Sequence, residues 1–280
     1  MTYSIVARDP STGELGVAVQ SQSFNTGAAV PWAWPGVGAI ATQSFTDRRY
    51  GWRGLERLAA GESPEHALAE LRAADMEPEL RQVGMLDAHG QIAQLTGTSC
   101  VPCAGDARGE HWAAQGNMLA SERAWHEMGA AFEKTDGTLA QRLLAALDAA
   151  EATGGDWRGR GGAAILVVPA TGEPWERVVD LRVEEGDGSL VELRRLTLRA
   201  EAYRAANRAE EGRADVGRAG GLPAQYVHWL EFLDAAAAGE IDEARRLLAE
   251  VTQVEPRWRD AARALARDPK LPALDDILAE

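Results

Sequence analysis

The sequence predicts an α+β fold, two antiparallel sheets covered by helices, followed by a small all-α module. Strand-like segments come in runs and helical segments in pairs: four strands, two helices, three strands, two helices, two strands. An alternating β–α order would have implied a parallel sheet instead. No GxGxxG or GxxxxGK(S/T) follows any strand, so the phosphate-cradling loops of nucleotide-binding parallel sheets are missing. From residue 189 onward the pattern is helices and a linker, with no further strand.

The elements read as follows. Residues 2–8 are rich in β-formers, Asp9-Pro10-Ser11-Thr12-Gly13 is a turn cluster, and residues 15–22 alternate like a return strand. Further strands are expected at 28–30 and 37–44. Residues 50–60 carry Trp52, Leu55 and Leu58 at helical spacing and stop at Gly61. Ser63-Pro64 caps and opens a second helix over 65–74. Residues 82–87 and 91–95 form a hairpin around Ala88-His89-Gly90, and a glycine-rich loop leads to a strand at 111–115 that ends in Gly116-Asn117. Helices at 121–134 and 139–152 precede strands at 163–168 and 177–183. A long helix at 190–208, a polar glycine-rich linker at 209–222 and helices at 224–238, 242–254 and 258–266 complete the chain. The helical tail resembles one tetratricopeptide-type pair, which is too few units for a repeat array. The expected domains are 1–212 and 213–280.

Length and composition bound the function. The chain has 280 residues, 45% hydrophobic and 26% charged, enough for a large core without disulfide or metal staples. With 43 acidic against 29 basic residues the net charge is −14, which opposes binding to nucleic acid or to an anionic membrane. No apolar run reaches the roughly 18–20 residues of a membrane span. MTYSIVARDP lacks the basic start of a secretion signal, so a cytoplasmic protein is expected. Lys134 and Lys270 are the only lysines, which leaves little room for lysine chemistry.

The start of the chain holds the sharpest chemical feature. Thr2 follows the initiator methionine, and a small second residue permits that methionine's removal. An N-terminal threonine joins a hydroxyl nucleophile to an α-amine base of pKa about 7.7–8.0 in one residue. Small residues are also common at position 2 for unrelated reasons. Cys100-Val-Pro-Cys103 has CxxC spacing, but Pro102, Ala104 and Gly105 place it in a loop. No second CxxC exists and His111 is the nearest further ligand, so incidental cysteines are favoured over a disulfide, and a disulfide over zinc. Trp32-Ala-Trp34 suits packing or a subunit interface better than a ring-binding pocket, and Tyr226, Trp229, Phe232 and Leu233 are spaced as a small helical core.

Four stretches, MTYSIVARDPSTGELGVAVQSQ, PGVGAIATQSFTDRRYG, QGNML and GGDWRGRGGAAILVV, carry a resemblance to the family called domain of unknown function 1028, in order and over about residues 2–205. That family is assigned to the Ntn (N-terminal nucleophile) hydrolases, so the resemblance implies a four-layer αββα sandwich with Thr2 as nucleophile on an amide carbonyl. It implies a small-molecule amide substrate and no cofactor or metal. Members often end in a small domain described as peptidoglycan-binding, the position of residues 213–280. The acidic charge and the absence of a signal make peptidoglycan a weak expectation, and the tryptophans suggest a homodimer.

Donors for the developing oxyanion are sought in two places. Asn117, with Gly116, ends one strand and can donate through its amide; it could equally be a turn or cap residue. Thr42, Gln43 and Ser44 close another strand expected to pass beside Thr2, though Gln43 could be an ordinary polar strand end. Asp47 follows and either orients the α-amine or pairs with Arg48 or Arg49. Proteasome-type members also use an aspartate and a lysine near the nucleophile, and residues 18–34 hold neither. A non-catalytic binding or scaffolding protein on the same fold is therefore the second reading.

Overall fold

The computed structural model describes residues 2–209 and 222–279. Among these residues ten strands form two sheets, with antiparallel pairing throughout. They are β1 (Thr2–Arg8), β2 (Leu15–Ser21), β3 (Pro31–Trp34), β4 (Gly38–Ser44), β5 (Arg81–Asp87), β6 (Ile92–Thr96), β7 (Gly105–Arg108), β8 (Trp112–Asn117), β9 (Gly162–Val168) and β10 (Val179–Val183). The larger sheet has the order β10-β9-β2-β1-β8-β7 and the smaller one β3-β4-β5-β6. Nine α-helices lie among the described residues: α1 (Arg49–Ala59), α2 (Pro64–Ala73), α3 (Ala124–Lys134), α4 (Leu139–Ala152), α5 (Ser189–Ala209), α6 (Ala224–Ala238), α7 (Ile241–Val254), α8 (Arg257–Leu265) and α9 (Leu274–Leu278). The fold is α+β with two antiparallel sheets, as the sequence predicts.

Strand alternation sorts the side chains into layers. Tyr3, Ile5 and Ala7 of β1 face α3 and α4, with Phe132, Leu143 and Leu147. Val6, Val17 and Val19 point the other way and meet Ala39, Ala41 and Leu86 of the smaller sheet. The outer face of that sheet, Ile40, Val83 and Met85, is covered by Leu55 and Leu58 of α1 and Leu68 and Leu71 of α2. The layers thus run helix pair, six strands, four strands, helix pair.

Local rules explain most boundaries. Ser63 accepts from the His66 backbone N–H at 3.2 Å, capping α2 with Pro64 in its first turn. Thr138 caps α4 through the Gln141 N–H at 3.3 Å. Gly51 lets α1 approach Trp32, since a Cβ there would lie 2.3 Å from the indole ring. Trp34 meets Trp52 edge-on at 5.3 Å, so the Trp32–Trp34 pair packs between sheet and helix.

Three expectations need correction. Residues 28–30 are not a strand: a 3₁₀ turn occupies Thr26–Ala28, led by Asn25 at φ +55°, and the strand begins at Pro31. Proline is tolerated there as a first strand residue. The glycine-rich stretch before β8 contains a short strand, β7, whose glycine and aspartate weaken its β signal. The five-residue helix α9 was too short for a periodic pattern to reveal.

Two compact units divide at Thr197/Leu198, within α5. The expected boundary at 212 lies outside the described residues, as does most of the linker expected at 209–222. The second unit has its own core of Trp229, Phe232, Leu233, Leu247, Leu248 and Val251, with Trp229 stacked against Trp258 at 4.6 Å. No helix among the described residues is long and apolar enough to cross a membrane.

Candidate functional site

The space between the sheets is apolar at one end and polar at the other. β1 starts at Thr2, β2 ends at Ser21, β8 ends at Asn117 and β9 starts at Gly162. In the facing sheet β4 ends at Ser44, β5 starts at Arg81 and β6 ends at Thr96. Antiparallel pairing brings all these termini to one end. Thr2 lies opposite both Ser21 and Asn117, while Ser44 lies opposite Arg81 and Gln82 opposite Thr96.

A network of uncharged side chains fills that end. The Thr2 hydroxyl donates to Ser21 Oγ at 3.1 Å, and Ser21 Oγ accepts from the Ser23 N–H at 3.1 Å. From the facing sheet Gln43 Nε2 donates to the Thr2 carbonyl at 3.1 Å and to Gln82 Oε1 at 2.8 Å, and its Oε1 accepts from Ser4 Oγ at 2.7 Å. Gln82 Oε1 also accepts from Asn117 Nδ2 at 2.9 Å, and Gln82 Nε2 donates to the Gly116 carbonyl at 2.8 Å. Gln115 Nε2 reaches Ser4 Oγ at 3.3 Å and the Ala41 carbonyl at 3.2 Å. These buried amides tie the two sheets together where apolar packing stops; their mutual bonds offset much of the cost of burial, while Gln115 Oε1 is left without a partner.

Backbone strain collects at the same end. Among the described residues the non-glycine residues with left-handed backbone are Asn25, Ser44, Cys103 and Met118. Each follows or closes a segment that ends here. Such conformations cost about 1–3 kcal/mol each and cluster at functional sites. Asp156, its carboxylate fully buried, accepts from the Gln22 N–H at 2.9 Å and the Arg158 N–H at 2.9 Å, locking the 154–161 loop to the end of β2. Gly161 makes that contact possible, because a Cβ there would lie 2.1 Å from the Gln22 carbonyl oxygen.

The residues singled out in the sequence divide. Thr2, Gln43, Asn117 and Gly116 come together as described. Thr42 faces away from Thr2 and donates to the Asp47 carbonyl at 3.1 Å. Asp47 forks onto Arg49 through bonds of 2.5–3.0 Å, which hold its carboxyl below the usual range. Ser44 contributes through its backbone at φ +71°. Cys100 and Cys103 are free thiols; the first donates to the Arg81 carbonyl at 3.4 Å, and burial pushes the second thiol's pKa up. Among the described residues no group of three or more His, Cys, Asp or Glu side chains is placed to hold a metal ion.

Residues absent from the sequence-based set are Ser21, Gln82, Gln115 and Asp156. Gln82 is central, since it bonds to both Gln43 and Asn117. Its signal was present: Gln82, Gln94, Thr96, Gln115 and Asn117 take the alternate positions that read as interior in otherwise apolar strands.

The four stretches that carry the resemblance therefore converge on Thr2. The family described as "Family of unknown function (DUF1028)" matches residues 2–193. The chain belongs to this family. A solved DUF1028 structure, protein SPO2555 from Silicibacter pomeroyi, is 30% identical with a TM-score of 0.64 and covers 77% of this chain and 91% of its own. No curated protein matches the chain. The DUF1028 match ends inside α5, close to where the first compact unit ends.

Proposed function

We propose that the protein is an N-terminal-nucleophile amidohydrolase that cleaves a small amide with Thr2 after removal of Met1. The observation that carries this reading is the placement of the Thr2 hydroxyl. The residue is 8% exposed, at the polar end of an otherwise apolar inter-sheet layer, among oriented neutral donors and surrounded by strained loops. The order of layers agrees with the αββα sandwich of Ntn hydrolases. In the reaction Thr2 Oγ attacks the amide carbonyl while the α-amine takes its proton. That proton passes to the departing amine, an ester forms, and water then releases the acid and restores the hydroxyl. A primary amide has two N–H donors and the bond to Gln82 uses one of those on Asn117, leaving the other for the oxyanion. Gln43, on the Thr2 carbonyl, fixes the backbone at the nucleophile.

The test pairs the intact mass of the protein from its native host with an amide panel on the wild type and Thr2→Ala. A chain starting at Thr2, with turnover lost in the variant, is the expected result. Retention of Met1 would cap the amine and end the mechanism as written. One observation favours a second reading, an Ntn-fold binding protein without turnover. The carboxylates of Asp47 and Asp156 are both committed to arginines, and the groups bonded to Thr2 are uncharged. Saturable amide binding without hydrolysis would select it.

A further inference from the structure

Four of the seven large, half-exposed apolar side chains among the first unit's described residues lie on loops around Thr2. Among its described residues, large apolar side chains exposed by half or more are Phe24, Phe45, Trp52, Met76, Trp157, Trp175 and Val191. Phe24, Phe45, Met76 and Trp157, at 68%, 53%, 96% and 60% exposure, all lie on loops at the Thr2 end. Chain neighbours tie each of them to the site. Phe24 stands three residues beyond Ser21, the hydroxyl partner of Thr2. Trp157 adjoins Asp156, which holds the Gln22 N–H. Phe45 lies two residues beyond Gln43, and its carbonyl accepts from Arg81 Nη1 at 2.7 Å. Met76 follows Asp75, whose carboxylate binds Arg81 Nε at 2.8 Å. One flank of the Thr2 end is thus Phe24 and Trp157, the other Phe45 and Met76.

Three carboxylates at that end are paired with arginines, and Asp106 accepts from the Thr96 hydroxyl. The shielded carboxylates Asp47, Asp75 and Asp156 face Arg49, Arg81 and Arg158 respectively. Between the flanks the groups around Thr2 are hydroxyls and primary amides. Such groups bond to an uncharged amide, and they do not repay the desolvation of a charged substrate group.

We infer that the substrate is an uncharged amide bearing a ring-sized apolar group, held between the Phe24–Trp157 and Phe45–Met76 flanks with its carbonyl at Thr2. This rests on the amidohydrolase reading and gives its substrate class. Burying one aromatic ring suffices for a discrimination of about tenfold or more over a methyl group.

The test measures ammonia release from 3-phenylpropanamide, acetamide and succinamate with the mature wild-type protein. It is coupled to calorimetric binding of the same three amides to Thr2→Ala. The expected result is a preference for 3-phenylpropanamide of about tenfold or more over both others. That preference collapses toward unity in Phe24→Ser/Phe45→Ser and persists in Trp175→Ser, at the opposite end of the strands. Turnover of all three amides at similar efficiency would overturn the substrate class and leave the hydrolase reading standing. Selective binding of 3-phenylpropanamide without any turnover would do the reverse. Absence of both selective binding and selective turnover overturns the class. So does a Phe24→Ser/Phe45→Ser variant that changes only the sedimentation-derived mass, because the apolar loops would then meet a second copy of the chain.

Discussion

Asn117 lies opposite Thr2 at the end of the β1–β8 ladder, and its side-chain amide is held at 2.9 Å by Gln82 Oε1 of the facing sheet. The orientation of the amide proposed as the oxyanion donor is therefore set by a residue of another sheet. Gln82 also bonds Gln43, which reaches back to the Thr2 carbonyl. Thr2, Asn117, Gln82 and Gln43 close a circuit that crosses the inter-sheet gap twice.

Replacing Gln82 by leucine should break this circuit at its centre. Asn117 Nδ2, Gln43 Nε2 and the Gly116 carbonyl would each lose a buried partner, at about 1–3 kcal/mol apiece. Part of that is recovered by relaxation, so the expected loss is about 3 kcal/mol in the denaturant-extrapolated unfolding free energy. An unchanged denaturation midpoint would show that the network is dispensable to the fold.

The proposed base fixes the sign of the pH dependence. An α-amine accepts a proton only as the free base, so kcat/KM should rise with pH through about 7.7–8.0 and level above it. A Thr2 preceded by one additional glycine has no such amine. Its activity should be lost across that whole range.

How far the sequence revealed this site depended on residue type. Thr2 was legible from its place after the initiator methionine, and Gln43 and Asn117 as amides at strand ends within the stretches that carry the resemblance. Gln82 was not, because a lone glutamine opening a strand looks like a polar edge. Its alternation with Leu86 carries a weak inward signal, and the register that sets it opposite Thr96, beneath Asn117, makes that signal decisive. Thr42 and Asp47 stood beside Gln43 in the sequence, yet strand alternation sends Thr42 to the outer face and Arg49 captures Asp47. Layers and most helix ends followed from alternation and caps. β7 escaped because glycine and aspartate mask its pairing, which the β8 ladder imposes from outside.

The Asp75–Arg81 pair pins the Phe45 loop and is 3% and 12% exposed. Its bonds to Arg81, above all, draw the Asp75 pKa down from 3.8 to about 2. A lowered carboxyl pKa adds stability that is complete above the unfolded value and is lost as pH falls through the folded one. Unfolding free energy should therefore drop by about 2 kcal/mol between pH 4 and pH 2 from this group. Asp75→Asn should flatten that part of the pH profile. Asp75→Ala, which strands a shielded arginine, should cost about 3–5 kcal/mol at pH 7. Chemical denaturation across pH decides both.

Gly161 tests whether the strained loops matter beyond stability. An alanine there would place its Cβ 2.1 Å from the Gln22 carbonyl oxygen and 2.5 Å from its carbon, backbone atoms that cannot rotate away. The chain must move apart at the point where the Asp156 carboxylate holds the Gln22 N–H. The expected destabilisation is about 2–3 kcal/mol. Gly188→Ala, with nothing within 4 Å of the new carbon, should change stability by no more than about 0.5 kcal/mol. If the 154–161 loop positions Ser21 and, through it, the Thr2 hydroxyl, Gly161→Ala should lower kcat at temperatures where the variant is fully folded. KM for the amide should change less, because the Gln43 and Asn117 donors stand on strands the substitution leaves in place. Equal effects on kcat in the two glycine variants would place the loop outside the catalytic apparatus.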